Sequence, residues 1–176
     1  MLAAGIDLTT GSVKRLALSI VAVATAAVAV AGEAAPVFMT KVPAGYRDWK
    51  LISVAHEAGE LNDIRAILAN DKGVKAYRDG KLPFPEGTII SRIAWDFVAS
   101  AENNKSFGRE QSFVAGAPKN GVQFMIKDSR KYAATGGWGY GHFENGKPAD
   151  EAAMKTCFPC HELVKDRDFV FTRYSP

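Results

Sequence analysis

Cysteine is scarce in this chain, with two among 176 residues, and histidine nearly as scarce, with three. Two cysteines exclude a disulfide-stapled scaffold. Structural zinc needs four ligands, and His56 and His142 lie far in sequence from both cysteines. Charge of one sign is lacking too: the formal net charge is +3, with Lys and Arg interspersed among Asp and Glu. No basic footprint remains for nucleic acid, which is excluded as a partner. No internal repeat occurs, so a solenoid or propeller is excluded as well. Composition is otherwise ordinary, 47% hydrophobic and 23% charged, enough for one domain with its own core.

Long apolar runs are missing except for one near the amino terminus. Lys14-Arg15 precedes the run 16–31 (LALSIVAVATAAVAVA), which ends in the small-residue triplet Ala29-Val30-Ala31. It is short and alanine-rich for a membrane span and reads as a signal peptide over 1–31, cleaved near Gly32, which implies export to the periplasm. An uncleaved anchor is the alternative reading. Residues 1–12 carry no net basic charge, so translation is expected to start at Val13, directly before Lys14-Arg15. Amino-terminal sequencing of the unprocessed precursor tests this. Removing the leader takes away one net positive charge. Residues 32–45, small, polar and proline-bearing, read as an exposed tether, and the domain proper as 46–176.

Within the domain, 46–56 (YRDWKLISVAH) reads as an entry turn and a strand, and 64–68 (IRAIL) as a second strand, the two joined as a hairpin by a turn around 59–62. A short helix is expected over 71–79, stopped by Gly80, and the following LPFPEG reads as a loop. Strict alternation over 88–98 (TIISRIAWDFV) predicts a strand with Ile89, Ser91, Ile93, Trp95 and Phe97 on one face and Ile90, Arg92, Ala94 and Asp96 on the other. Residues 99–110 read as a loop, 121–127 (GVQFMIK) as a strand, and 128–132 as a brief helical turn. In 137–144 (GWGYGHFE), glycines alternate with Trp138, Tyr140 and His142. Such a bare face admits another backbone or a flat ligand, or belongs to a hairpin strand with an aromatic core face. A helix is expected over 150–156, a helical turn over 161–166, and a last strand over 168–174. The whole reads as an α+β domain, mainly an antiparallel β-sheet with a few short helices.

The chemistry is concentrated in Cys157-Phe158-Pro159-Cys160-His161, which fits the C-x-x-C-H pattern for haem attachment. Two intervening residues let both thiols reach the two vinyl groups on one haem edge, and the histidine that follows places an imidazole under the iron. A thioredoxin-like dithiol would need a βαβ setting, which the pattern lacks. A plain disulfide across two residues would close a tiny loop and stabilise little. The pentad therefore predicts one covalent haem c on Cys157 and Cys160, with His161 as an iron ligand.

The ending TCFPCHELVKDRDFVFTRYSP, with the upstream YRDWKLISVAH, GTIISRIAW and VQFMIKDSRKY, resembles the cytochrome P-460 family over about the whole domain. The resemblance implies a mostly antiparallel, frequently homodimeric β domain holding a five-coordinate haem c with an open distal face and His161 as proximal ligand. One branch of the family oxidises hydroxylamine and carries a lysine cross-linked to the haem. The other, cytochrome c′-β, lacks the cross-link and binds gases such as nitric oxide. The strand after Gly87-Thr88, where the cross-linking lysine is expected, holds Arg92, and the nearest lysine is Lys81 in the preceding loop. That departure favours a ligand of the nitric oxide class over hydroxylamine oxidation. Arg92 could donate to a distal ligand, pair with a haem propionate, or reach solvent at a strand edge. Met125, His56 and His142 are candidate sixth ligands or packing residues; a sixth ligand would suit simple electron transfer to a redox partner protein.

Overall fold

A computed structural model describes residues 38–175, together with Met1 and Gly5. Those two positions apart, the leader over 1–31, the cleavage near Gly32 and the start at Val13 lie outside the described residues.

Among the described residues, six strands form one antiparallel sheet whose spatial order repeats chain order: β1 (Lys50–Glu57), β2 (Asp63–Ala69), β3 (Ile89–Ala99), β4 (Phe113–Lys127), β5 (Trp138–Glu144) and β6 (Lys147–Pro148). The short helices are α1 (Asp71–Arg78), α2 (Ala101–Phe107), α3 (Glu151–Lys155) and α4 (Cys157–Glu162). The expected α+β class holds, and β1 and β2 pair as the expected hairpin. Asn62, at φ 35°, and Gly59, at φ 75°, supply the left-handed backbone of its turn.

Asn70 starts α1 by accepting from the Gly73 N–H at 3.1 Å, and its side chain also bonds Ile89 and Gly87, tying helix to sheet. Gly73 weakens the helix but lets it sit close: a Cβ there would lie 2.9 Å from the Ala69 Cβ.

Each face of the sheet carries its own cluster. On one side lie Ile52, Ile67, Ile90, Met125, Trp138 and Tyr140. On the other, Phe124 and Phe143 pack with Met39, Tyr46 and Trp49. Burying side chains such as Ile52 and Phe143, both almost fully enclosed, contributes about 1.5–3 kcal/mol each. Register confirms the two faces expected for β3, with Arg92 beside Ile67 and Gln123, and Ser91 beside Leu68 and Phe124. The bare face of β5 is filled by the chain itself. A Cβ at Gly139 would lie 2.3 Å from the Tyr132 ring, and one at Gly141 would lie 3.0 Å from the Met39 Cβ.

Three expectations need correction. The expected tether over 32–45 is tied down at Phe38, which bridges Tyr140, and at Met39, buried in the space the β5 glycines leave, while Thr40, Lys41, Ala44 and Gly45 are exposed. Residues 101–107 are helical rather than looped: Ser100 caps the helix start and Gly108 ends it in the left-handed conformation. Residues 168–174 are not a strand. Asp168 and Phe169 take left-handed φ values of 51° and 64°, which a β ladder cannot accommodate.

Candidate functional site

The pentad folds as α4, directly after α3. Asp150 caps α3 by accepting from the Ala153 N–H at 2.7 Å. Pro159 is tolerated because it falls in the first turn of α4, where backbone N–H groups have no intrahelical partner. Helical spacing places Cys160 and His161 one turn beyond Cys157, on the same face. All three line one cavity of about 790 Å³, a size suited to a large flat ligand. Both cysteines are free thiols, Cys157 half-buried and Cys160 exposed. Burial, and then the neighbouring Cys160, push the Cys157 thiol up.

His161 is held by its Nδ1, 2.7 Å from the Phe169 carbonyl oxygen. A carbonyl only accepts, so Nδ1 carries the proton and Nε2 is left with a free lone pair. The Tyr140 and Phe171 rings flank the imidazole, with centroids at 5.1 and 5.2 Å. Burial lowers the His161 pKa, and the Phe169 carbonyl partly opposes that shift. A neutral imidazole is the form that binds a metal. Presenting the carbonyl requires two consecutive left-handed residues, Asp168 and Phe169, at about 1–3 kcal/mol each, so the surroundings must hold them.

The sheet supplies the facing wall: Ser53, Ile67, Ile90, Arg92, Met125 and Tyr140 among others. Within it sits a buried ionic cluster. Asp63, with no exposed surface, accepts from Arg65 Nε at 2.7 Å, Arg65 Nη2 at 2.9 Å and Arg92 Nη2 at 2.6 Å. Glu57 lies 3.4 Å from the far side of Arg65. Burial and the facing Arg65 charge pull the Arg92 pKa down, while Asp63 opposes them. Among the described residues, Arg92 Nη1 and the Tyr140 hydroxyl have no hydrogen-bond partner, although both are buried. The Ser91 hydroxyl on the opposite face of β3 is buried and unpartnered as well.

The donor set suits haem: two free thiols one helical turn apart, a histidine with a free Nε2, and a large cavity with apolar walls and a basic patch. A family model, Cytochrome P460, matches residues 43–172. The chain belongs to the cytochrome P460 family. As a member it is a haem-binding cytochrome. No curated protein matches it.

The remaining residues of interest in this cytochrome divide cleanly. Arg92 and Met125 line the cavity. Lys81 does not; it borders a second cleft, with Arg167 and Tyr174, that shares Val170, Thr172 and Arg173 with the first. His56 stacks on Phe97 at 3.9 Å and His142 lies 3.6 Å from Glu144, both off the cavity wall. Sequence reasoning missed Asp63, Arg65, Tyr140 and Phe169 as site residues. Alternation along β2 does place Asp63, Arg65 and Ile67 on one face, but no local pattern tells which guanidinium a carboxylate will meet across strands.

Proposed function

We propose that this cytochrome holds one haem c covalently through Cys157 and Cys160, with His161 Nε2 as the axial ligand, and binds or redox-processes small nitrogen species such as nitric oxide. The observation that carries the reading is the His161 Nδ1–H bond to Phe169, which frees Nε2 beside two thiols of the same cavity. When bound, haem supplies an iron centre able to take a small ligand or exchange one electron.

The chain does the rest. Phe169 fixes the imidazole's tautomer and direction. The Tyr140 and Phe171 rings flank His161, and Phe158 of α4 packs against Tyr140 and Phe169. Asp63 holds Arg92 in place on the cavity wall, where its guanidinium charge suits an acceptor group, whether a propionate or a small ligand. A sixth position left open is supported by the placement of His56 and His142 off the cavity wall. The same placement argues against simple electron transfer. Among the described residues lining the cavity there is no lysine, which favours ligand binding over a lysine-cross-linked hydroxylamine oxidoreductase. Export to the periplasm, a redox partner protein and a homodimer belong to the same proposal. Among the described residues no helix is long and apolar enough to cross a membrane.

The test is optical spectroscopy of ferric and ferrous protein matured in a c-type system, with nitric oxide and hydroxylamine added in turn, alongside peptide mass analysis. A high-spin haem c spectrum that changes with nitric oxide, without hydroxylamine turnover, is expected. A strongly red-shifted ferrous Soret band with turnover and a lysine–haem peptide would refute ligand binding as the main role. Six-coordinate low-spin iron in both oxidation states would replace it with electron transfer.

A further inference from the structure

Lys127 and Asp168, 41 residues apart in sequence, meet with Nζ 2.6 Å from Oδ1, their side chains only 5% and 8% exposed. Buried ion pairs add little net stability over a packed apolar pair, so the pair calls for an explanation other than stability. Its neighbours supply one. Lys127 ends β4, and its Nζ also donates to the Gly136 carbonyl at 3.2 Å and stands 5.1 Å from the Trp138 ring centre. The other oxygen of Asp168 accepts from the Phe84 N–H at 2.8 Å. Asp168 is thus fastened at both oxygens to the body of the domain. The next residue is Phe169, whose carbonyl receives the His161 Nδ1–H and whose ring packs on Gly136, where a Cβ would lie 2.2 Å from Cε2. Lys127 therefore grips both sides of the Phe169 seat: Asp168 directly before it and Gly136 under its ring.

We propose that Lys127 and Asp168 are positioning residues for the axial histidine: together they hold the left-handed 168–169 turn so that the Phe169 carbonyl stays on His161 Nδ1. Released, residues 168 and 169 would relax to negative φ and carry the carbonyl away. A hydrogen bond at Nδ1 makes the opposite nitrogen a stronger donor to a metal. The pair thereby sets the donor strength of Nε2 without touching the cavity, since neither residue lines it. The inference rests on the reading of His161 as the axial ligand.

The test compares holoprotein of the native chain with Asp168→Asn, with the neutral pair Lys127→Gln/Asp168→Asn, and with Lys127→Arg. A control, Lys155→Gln, removes the exposed Lys155–Glu151 pair of α3. The readouts are the iron–histidine stretching band of the ferrous protein and the reduction potential. Both charge-removing variants should shift the band to lower frequency and raise the potential, with covalent haem content unchanged. Lys127→Arg should keep the native band, and so should the control. If Asp168→Asn yields no folded holoprotein, the neutral pair, which leaves no unpaired buried charge, decides the matter. A native band and potential in the charge-removing variants overturn the positioning role. Failure of the underlying reading looks different: the native chain would lack a haem peptide, or His161→Ala would leave the band unchanged.

Discussion

Replacing Asp63 by asparagine isolates the ionic cluster on the sheet wall. The carboxylate is fully buried and accepts three charge-assisted hydrogen bonds, from Arg65 Nε and Nη2 and from Arg92 Nη2. At about 1.5–3 kcal/mol each, these set a ceiling of about 4.5–9 kcal/mol. The real loss is smaller. Each guanidinium keeps 15% exposure, enough for partial solvation, and the asparagine retains one accepting oxygen. The expected destabilisation is therefore about 3–5 kcal/mol, the range for removing one partner of a buried pair. With a urea m-value of about 1–3 kcal/mol/M, the unfolding midpoint falls by about 1 M or more. Equilibrium unfolding of the holoprotein, followed by circular dichroism, measures it. Combining Asp63→Asn with Arg92→Met should show a coupling of about 0.5–3 kcal/mol, because Arg92 loses its anchor once, not twice. A loss below about 1 kcal/mol would place the cluster with exposed pairs and refute the argument that it holds Arg92.

The other predictions concern the cavity, the glycine strand and the exposed loops. Arg92→Met alone should weaken retention of a small ligand at the iron, read as faster dissociation in stopped-flow; an unchanged rate would move Arg92 to a propionate or to structure alone. Gly139→Ala should destabilise by about 1–3 kcal/mol, since its Cβ would press into the Tyr132 ring, and a neutral result in urea unfolding would contradict that packing. Glu86 accepts from the Ser129 hydroxyl and from its N–H, which lowers its pKa below the ordinary 4.5. A carboxyl depressed in the folded state stabilises at neutral pH, and that contribution fades as pH falls through and below 4.5. Glu86→Gln should therefore flatten the acid limb of the stability profile and leave the alkaline side unchanged.

Alternation made the sheet readable. The two faces of β3 follow from Ile89 to Phe97 alone, because each side packs a separate apolar cluster and the period of two survives intact. The first half of β4 was hidden by Gly116, Pro118 and the left-handed Asn120-Gly121 pair, where the register with β3 also shifts. Helix α2 carried its own signals, Ser100 before and Gly108 after, but a polar stretch with no buried face shows no apolar period. The carboxy-terminal segment misled for a different reason. Phe169, Val170 and Phe171 have the composition of a strand, but Phe169 serves the histidine while Val170 and Phe171 line the cavity. At the site itself the pentad was legible because its spacing follows the shape of one ligand; the Asp63 cluster and the Lys127–Asp168 pair were not, because they join residues distant in sequence.

A sheet whose spatial order repeats its chain order has a consequence for how the protein is born. Each of these strands pairs with the one just made, so the closures that build the sheet are short in sequence. Helix α4 and the 168–169 turn that holds His161 come after the last strand in the chain, so they can settle onto a wall that is already standing. Pulse-labelled hydrogen exchange during refolding should protect β2 to β5 before the backbone of 161–170; simultaneous protection would contradict this order.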